Sequence, residues 1–368
     1  MSNYLLRMID ANLNRSSEGL RVLEDTARFL LNDTELSQRL RTMRHDLARE
    51  TKSLRIRFLS YRDAEHDVGH PYPFLPGERE FNRRTPSLQS SLDLVTANAK
   101  RVEESLRVVE ELAKLSEVSS MLNSASFEQA RFTVYTLEQD LISRISRRDK
   151  TERMLGLYII LDRQFLAGRD ELDIARQIIE GGAKVIQLRD KSQFYGDRRR
   201  ELLLVAQKLK ELCSQAGVLF IINDYLDLAM AVDADGLHIG QEDLPLSIVR
   251  RELPIDKIVG CSITTLSQAT QAQNEGVDYI AVGSIFPTTT KKETTTVGVD
   301  IIREIKQVVS IPLVAIGGIN QNNVSEVVAA GADAVAVISA VLSEKDIRAA
   351  VQNLVAKIDS AKEKCQSQ

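Results

Sequence analysis

The 368-residue sequence predicts an α/β chain in two parts: an all-α helical bundle over residues 1–148, then a (β/α)8 TIM barrel over residues 149–368. Three observations predict it. Residues 1 to about 148 carry long segments with apolar side chains at helical spacing. From about 155 onward, eight short β-branched runs alternate with amphipathic segments in some 210 residues. Several of these runs follow a helix that stops at Gly or Ala, as in GGAKVIQL, EGVDYIAV and AGADAVAV.

In the helical part, SSEGLRVLEDTARFLLND places Leu20, Leu23, Ala27, Leu30 and Leu31 on one face, with Ser16 or Ser17 able to cap its start. LDLVTANAKRVEESLRVVEELAKL and FEQARFTVYTLEQDLISRISRR give two further helices. GHPYPFLPGERE, residues 69–80, carries three prolines and is expected as a loop or crossover. An internal echo aligns ANLNRSSEGLRVLEDTAR from Ala11 with ANAKRVEESLRVVEELAK from Ala97, in charged as well as apolar positions. Duplicated helical hairpins in a bundle account for it; two copies are too few for a solenoid. The repeated Arg15/Arg101, Glu18/Glu104, Arg21/Arg107 and Glu24/Glu110 are expected as exposed i,i+3 ion pairs, the alternative being a polar site about a pseudo-twofold. No phosphate-loop motif occurs here.

The strands read GLYIILD (156–162), KVIQLRDK (184–191), VLFIIND (218–224), DGLHIG (235–240), KIVGCSI (257–263), DYIAVGSIF (278–286), PLVAIGGI (312–319) and DAVAVISA (333–340). Continuous apolar strands need cover on both faces, which a parallel sheet wrapped by helices supplies. A doubly wound open sheet is the alternative, but no dinucleotide fingerprint follows the first strand.

A net charge of −4 with no dominant basic block speaks against nucleic acid as the main partner. Cys213, Cys261 and Cys365 are far apart and outside any metal-ligand spacing, so neither a disulfide framework nor a zinc site is expected. The opening MSNYLLRMIDANLNR is broken by Arg7 and Asp10, and no apolar run is long enough for a bilayer. A soluble cytoplasmic protein without a membrane partner is expected, and assembly into a homo-oligomer is compatible with it.

In such a barrel the chemistry lies where strands end. Period-two alternation in QLRDK puts Gln187, Arg189 and Lys191 on one face and Leu188 and Asp190 on the other. Two cations on one face favour an anionic ligand over pairing with Asp190 or Asp162. The next strand ends at Asn223 and Asp224, and Glu242 and Asp243 follow the fourth. Asp224 and Asp243 suit Mg²⁺ completed by phosphate oxygens, or else helix capping. Gly317 and Gly318, after the seventh strand, leave a phosphate free to approach backbone N–H groups, or serve packing alone. GSIFPTTTKKETTT (283–296) bridges the two ends of the cavity as a lid or clamp carrying Thr288, Thr290 and Lys291. His238, between Leu237 and Ile239, reads as packing.

Together VIQLRDK, FIIND, ADGLHIGQEDLP, GCSITT, GSIFPTTTKK, VAIGGIN and AVAVISAV resemble the thiamine-phosphate synthase family, in the same order over residues 155–345. The resemblance implies condensation of an aminomethylpyrimidine diphosphate with a thiazole phosphate, giving thiamine phosphate and diphosphate. It implies catalytic roles for Arg189, Lys191, Ser262 and Lys291, and pyrimidine-diphosphate contacts from Gln187, Leu188, Asp190 and Asn223. Asp224 and Asp243 would hold one Mg²⁺, Thr288 and Thr290 would serve the thiazole side, and Gly318, Ile338 and Ser339 the thiazole phosphate. Diphosphate would leave first and the thiazole nitrogen then attack, so no side-chain nucleophile is required. Thr264 stands where family members often have His. The competing readings are a thiazole tautomerase-like barrel and a non-catalytic binder of phosphorylated ligands. The helical part resembles the extension of longer family members.

Overall fold

The computed structural model describes residues 2–62, 90–191, 197–288 and 295–366. The proline-bearing stretch 69–80, Thr290 and Lys291 lie outside the described residues. The chain forms two compact units, Met1–Ser146 and Arg147–Gln368.

The first unit holds helices α1 (Asn3–Asp25), α2 (Thr34–Glu50), α3 (Arg55–Tyr61) and α4 (Ser91–Ala113), with α5 (Ser124–Arg153) running across the division. Leu6, Ile9, Leu20, Leu23, Ala99, Val102, Leu106 and Leu137 form its buried core. Asp33 caps α2 by accepting from Leu36 N (2.9 Å), and Ser90 caps α4 by accepting from Asp93 N (3.1 Å). The expected cap at Ser16 or Ser17 is corrected: α1 starts at Asn3, because Leu5, Leu6 and Ile9 extend the buried stripe toward the N-terminus. Ser16 lies inside the helix and its hydroxyl donates to Asn12 O (3.0 Å).

The two copies of the echo are α1 and α4, which pack against each other. Gly19 permits the approach, since a Cβ there would stand 2.6 Å from Val102 Cγ2. Glu24 and Glu110 correct the expectation of exposed pairs, for both are buried. Glu24 accepts from Arg41 Nε (2.9 Å) and Arg44 Nη2 (3.0 Å); Glu110 accepts from Arg107 Nη1 (2.8 Å) and Arg131 Nε (3.0 Å). Burial alone would raise each carboxyl pKa, but these charged donors outweigh it and hold both below the ordinary value of 4.5.

The second unit is a closed, all-parallel barrel in the order β1 to β8, with β8 returning to β1. In chain order its elements are β1 (Leu157–Asp162), α6 (Glu171–Glu180), β2 (Val185–Arg189), α7 (Asp197–Ala216), β3 (Leu219–Asn223), α8 (Leu226–Ala231) and β4 (Gly236–Ile239). Then come α9 (Leu246–Glu252), β5 (Ile258–Ile263), α10 (Leu266–Asn274), β6 (Tyr279–Val282), α11 (Asp300–Lys306), β7 (Leu313–Ile316), α12 (Val324–Ala329), β8 (Ala334–Val337), α13 (Ser339–Leu342) and α14 (Ile347–Gln366).

Each strand has two buried faces, which is why its sequence reads as unbroken apolar residues. Tyr158, Ile160, Val185, Leu219, Ile221, Ile258 and Tyr279 fill the barrel interior. Ile159, Leu161, Ile186, Leu188, Phe220 and Ile222 pack in the layer beneath the helices. Gly260 is required by this filling, for a Cβ there would fall 2.0 Å from the Tyr279 ring.

Candidate active site

The alternation that sends Val185 inward also sends Gln187 and Arg189 inward, and it carries Asn223, His238 and Ser262 to the C-terminal ends of β3, β4 and β5. These ends share one rim of the closed barrel. Gln187 Nε2 donates to Asn223 Oδ1 (2.8 Å) across neighbouring strands. Asn223 Nδ2 is buried and, among the described residues, has no hydrogen-bond partner. An orphaned buried donor is costly, and a ligand acceptor would satisfy it.

Arg189 and Lys191, at and just beyond the end of β2, are both paired with carboxylates: Asp162, which the pairing alternative named, and Asp224, which it did not. Arg189 donates to the fully buried Asp162, and Lys191 to Asp224. The reason is topological: Asp162 ends β1 and Asp224 follows β3, one on each side of β2. Asp162 also accepts from Gln164 N (3.0 Å).

Asp224 adopts a left-handed backbone (φ 64°), uncommon for a residue with a side chain and typical of constrained functional positions. Burial raises its carboxyl pKa and the neighbouring Asp243 raises it further, against the opposing pull of Lys191. Asp243 Oδ2 accepts from Gly240 N (2.6 Å). Neither carboxylate caps a helix, since α8 is preceded by Tyr225 and α9 by Pro245. Two adjacent carboxylates, one disfavoured by burial, fit a divalent cation that takes its other ligands from phosphate or water. Among the described residues no group of three or more His, Cys, Asp or Glu could hold a metal, so this pair offers a two-carboxylate site.

Two expected substrate contacts are not supported as side-chain contacts. Leu188 packs beneath the helices. Asp190 is buried against Arg163 (3.1 Å), which also binds Glu171 (2.8 Å) and Glu201 (2.6 Å). This network, with Tyr225 Oη donating to Asp190 O (3.2 Å), holds Asp190 directly after β2.

Ser262 Oγ lies 2.9 Å from His238 Nε2, and Ser262 O accepts from Gln241 Nε2 (2.8 Å). His238 is buried, as the packing reading requires, and burial pushes its pKa down to about 4. Its partnership with Ser262 was not legible. Thr264 spends its hydroxyl on Gln268 Oε1 (3.0 Å) at the start of α10.

On the opposite arc, Gly317 (φ 98°) and Gly318 (φ 67°) follow β7, while Ile338 and Ser339 follow β8. The space a Cβ would fill at Gly318 holds Pro287 O (2.6 Å) and Phe286 Cβ (2.8 Å); that at Gly317 holds Ser284. On the side a Cβ would occupy, the paired glycines therefore receive the segment after β6. Thr288 continues that segment. Tyr158 and Tyr279 occupy inward strand positions among aliphatic residues.

Polar groups gathered on the C-terminal rim of a closed parallel barrel define this chain as a barrel enzyme whose chemistry sits at its strand ends. Known proteins narrow the class. The thiamine monophosphate synthase family model matches residues 157–341, and the ThiD2 family model matches residues 7–140. The thiamine-phosphate synthase of Prochlorococcus marinus (strain AS9601) is 35% identical over 347 residues, 93% of this chain and 92% of its own. That of Shouchella clausii (strain KSM-K16) is 45% identical over 206 residues, 56% of this chain and 97% of its own. A solved thiamine phosphate pyrophosphorylase from Pyrococcus furiosus is similar at a TM-score of 0.52 and 37% identity, covering 57% of this chain and 98% of that one. The chain belongs to the thiamine-phosphate synthase family and is a transferase of thiamine biosynthesis. Among the described residues no helix is long and apolar enough to cross a membrane.

Proposed function

We propose that this rim joins an aminomethylpyrimidine diphosphate to a thiazole phosphate by dissociative loss of diphosphate, with one Mg²⁺ held by Asp224 and Asp243. The observation that carries this reading is the buried Asn223 Nδ2, without a hydrogen-bond partner among the described residues, on an amide whose oxygen Gln187 holds, next to a carboxylate pair. Asn223 Nδ2 would donate to a ring nitrogen of the aminopyrimidine, and Gln187 orients Asn223. Arg189, still held by Asp162, would present its other N–H groups to the diphosphate oxygens, and Lys191 would turn from Asp224 toward them, which leaves the Asp224 carboxylate to a cation. Bound there, the magnesium ion would supply charge neutralisation for the departing diphosphate. Lys291 and Ser262 would add donors to the same anion, each such group contributing roughly 10²–10³ in rate. Thr288 and Thr290 would hold the thiazole, and Gly318, Ile338 and Ser339 its phosphate, keeping the nucleophilic nitrogen close.

Calorimetry with the pyrimidine diphosphate tests this: tight binding requires Mg²⁺, and equal binding with and without it refutes the metal assignment. Diphosphate release on adding the thiazole phosphate distinguishes the transferase from a tautomerase-like barrel or a non-catalytic binder. The free Cys213, Cys261 and Cys365 support a reducing, cytoplasmic setting.

A further inference from the structure

One line of buried polar side chains crosses the barrel interior and ends at the rim. Tyr158 Oη of β1 lies 3.1 Å from Tyr279 Oη of β6, and Tyr279 Oη lies 3.1 Å from His238 Nδ1 of β4. His238 Nε2 lies 2.9 Å from Ser262 Oγ of β5. Tyr158 is 1% exposed, Tyr279 0% and His238 6%. Polar groups in an aliphatic interior cost stability unless paired, and phenylalanine would fill the same space without that liability. Gly260 gives the Tyr279 ring its room, so the line displaces a side chain from β5 to exist.

Proton counting fixes the direction of the line. Among the described residues, Tyr279 Oη is the only hydrogen-bond partner of Tyr158 Oη. If Ser262 donated to Nε2, then Nδ1–H would donate to Tyr279 and Tyr279 to Tyr158. The Tyr158 hydrogen would then be a buried donor without an acceptor, the costlier of the two defects. Run the other way, all three buried hydrogens are used: Tyr158 O–H donates to Tyr279, Tyr279 O–H to Nδ1, and Nε2–H to Ser262 Oγ. The Ser262 hydrogen is left to point away from His238.

We propose that Tyr158, Tyr279 and His238 are positioning residues that fix the Nε2–H tautomer of His238 and thereby turn the Ser262 hydroxyl outward as a hydrogen-bond donor to the reacting anion. This rests on the reading of Ser262 as an active-site group. In this role all three act through Ser262.

The experiment is a kinetic cycle on the full chain with Tyr279→Phe, Ser262→Ala and both together. Losing one neutral hydrogen bond is worth about 1.4 kcal/mol, so Tyr279→Phe is expected to lower kcat roughly tenfold with KM little changed. In the Ser262→Ala background the same change is expected to cost nothing further. An equal loss in both backgrounds, or no loss in the parent, overturns the proposal while leaving the condensation reading intact. Wild-type turnover in Ser262→Ala alone instead removes Ser262 from the active site, and the proposal with it. A second measurement does not depend on a variant's folding: ¹⁵N NMR of the four histidines of the parent chain, His238 being assigned by its through-space contacts with the Tyr279 ring. The expected spectrum places the His238 proton on Nε2; a proton on Nδ1 refutes the direction.

Discussion

Replacing Asp224 by Asn separates a metal ligand from a structural carboxylate. Asn tolerates the left-handed φ of 64° as Asp does, so the turn after β3 is kept. The change deprives Lys191 of its partner, but that side chain is 44% exposed and such a pair is worth only about 0–1 kcal/mol. Against this, the variant no longer holds a charge that burial and Asp243 both disfavour. The two effects are of similar size and opposite sign. Without metal, the variant is therefore expected to match the parent within about 1 kcal/mol, or about 2–4 °C in Tm for a unit of this size. Metal binding behaves differently. At an effective dielectric of 20, one unit of ligand charge 4 Å from one unit of cation charge is worth about 4 kcal/mol. After the gain from leaving that carboxylate unburied, a loss of about 3–4 kcal/mol is expected, or roughly 10²–10³ in Mg²⁺ affinity. The assay is calorimetric titration of Mg²⁺ in the presence of the pyrimidine diphosphate, paired with metal-free melting curves. Unchanged Mg²⁺ affinity would remove Asp224 from the ligand set, and a large drop in metal-free Tm would make it structural.

Arg189→Ala strands the fully buried Asp162 and is expected to cost about 3–5 kcal/mol of stability, whereas Arg189→Ala with Asp162→Asn recovers most of that without recovering turnover. Denaturant titration beside steady-state kinetics checks both halves. Gly318→Ala places a Cβ 2.6 Å from Pro287 O in a left-handed conformation, so a loss of at least about 2 kcal/mol is expected; a change within 0.5 kcal/mol would contradict the packing described. Glu24 and Glu110 have depressed pKa values, so they bind fewer protons folded than unfolded. Their contribution is present above the ordinary value of 4.5 and declines as pH falls through their folded values. Unfolding titrations from pH 6 to pH 3 should therefore show the gap between the parent and Glu24→Gln with Glu110→Gln narrowing toward acid.

The eight strands were readable because covering both faces of a parallel sheet leaves a simple mark, an apolar run after a left-handed helix stop. Their polar ends followed from that register, which is how Gln187, Arg189, Asn223, Asp224 and Ser262 came to one rim. What stayed hidden depended on partners remote in sequence. An i,i+3 Arg–Glu pattern looks alike exposed or buried; only the arginines of α2 and α5 place Glu24 and Glu110 inside. His238 looked inert because its partners, Ser262 and Tyr279, belong to other strands. The Gly317–Gly318 pair left phosphate approach and packing both open because the chain that packs on it, Ser284 to Pro287, arrives from the preceding strand.

The closure of β8 onto β1, with Ile159 opposite Val337, has a bearing on biosynthesis. The groups flanking that seam, Asp162 and Ser339, are encoded near opposite ends of the barrel's reading frame. A ribosome must therefore release nearly the whole polypeptide before the ring can shut. Until then neither substrate has a finished place to bind, so catalytic competence arrives late and all at once.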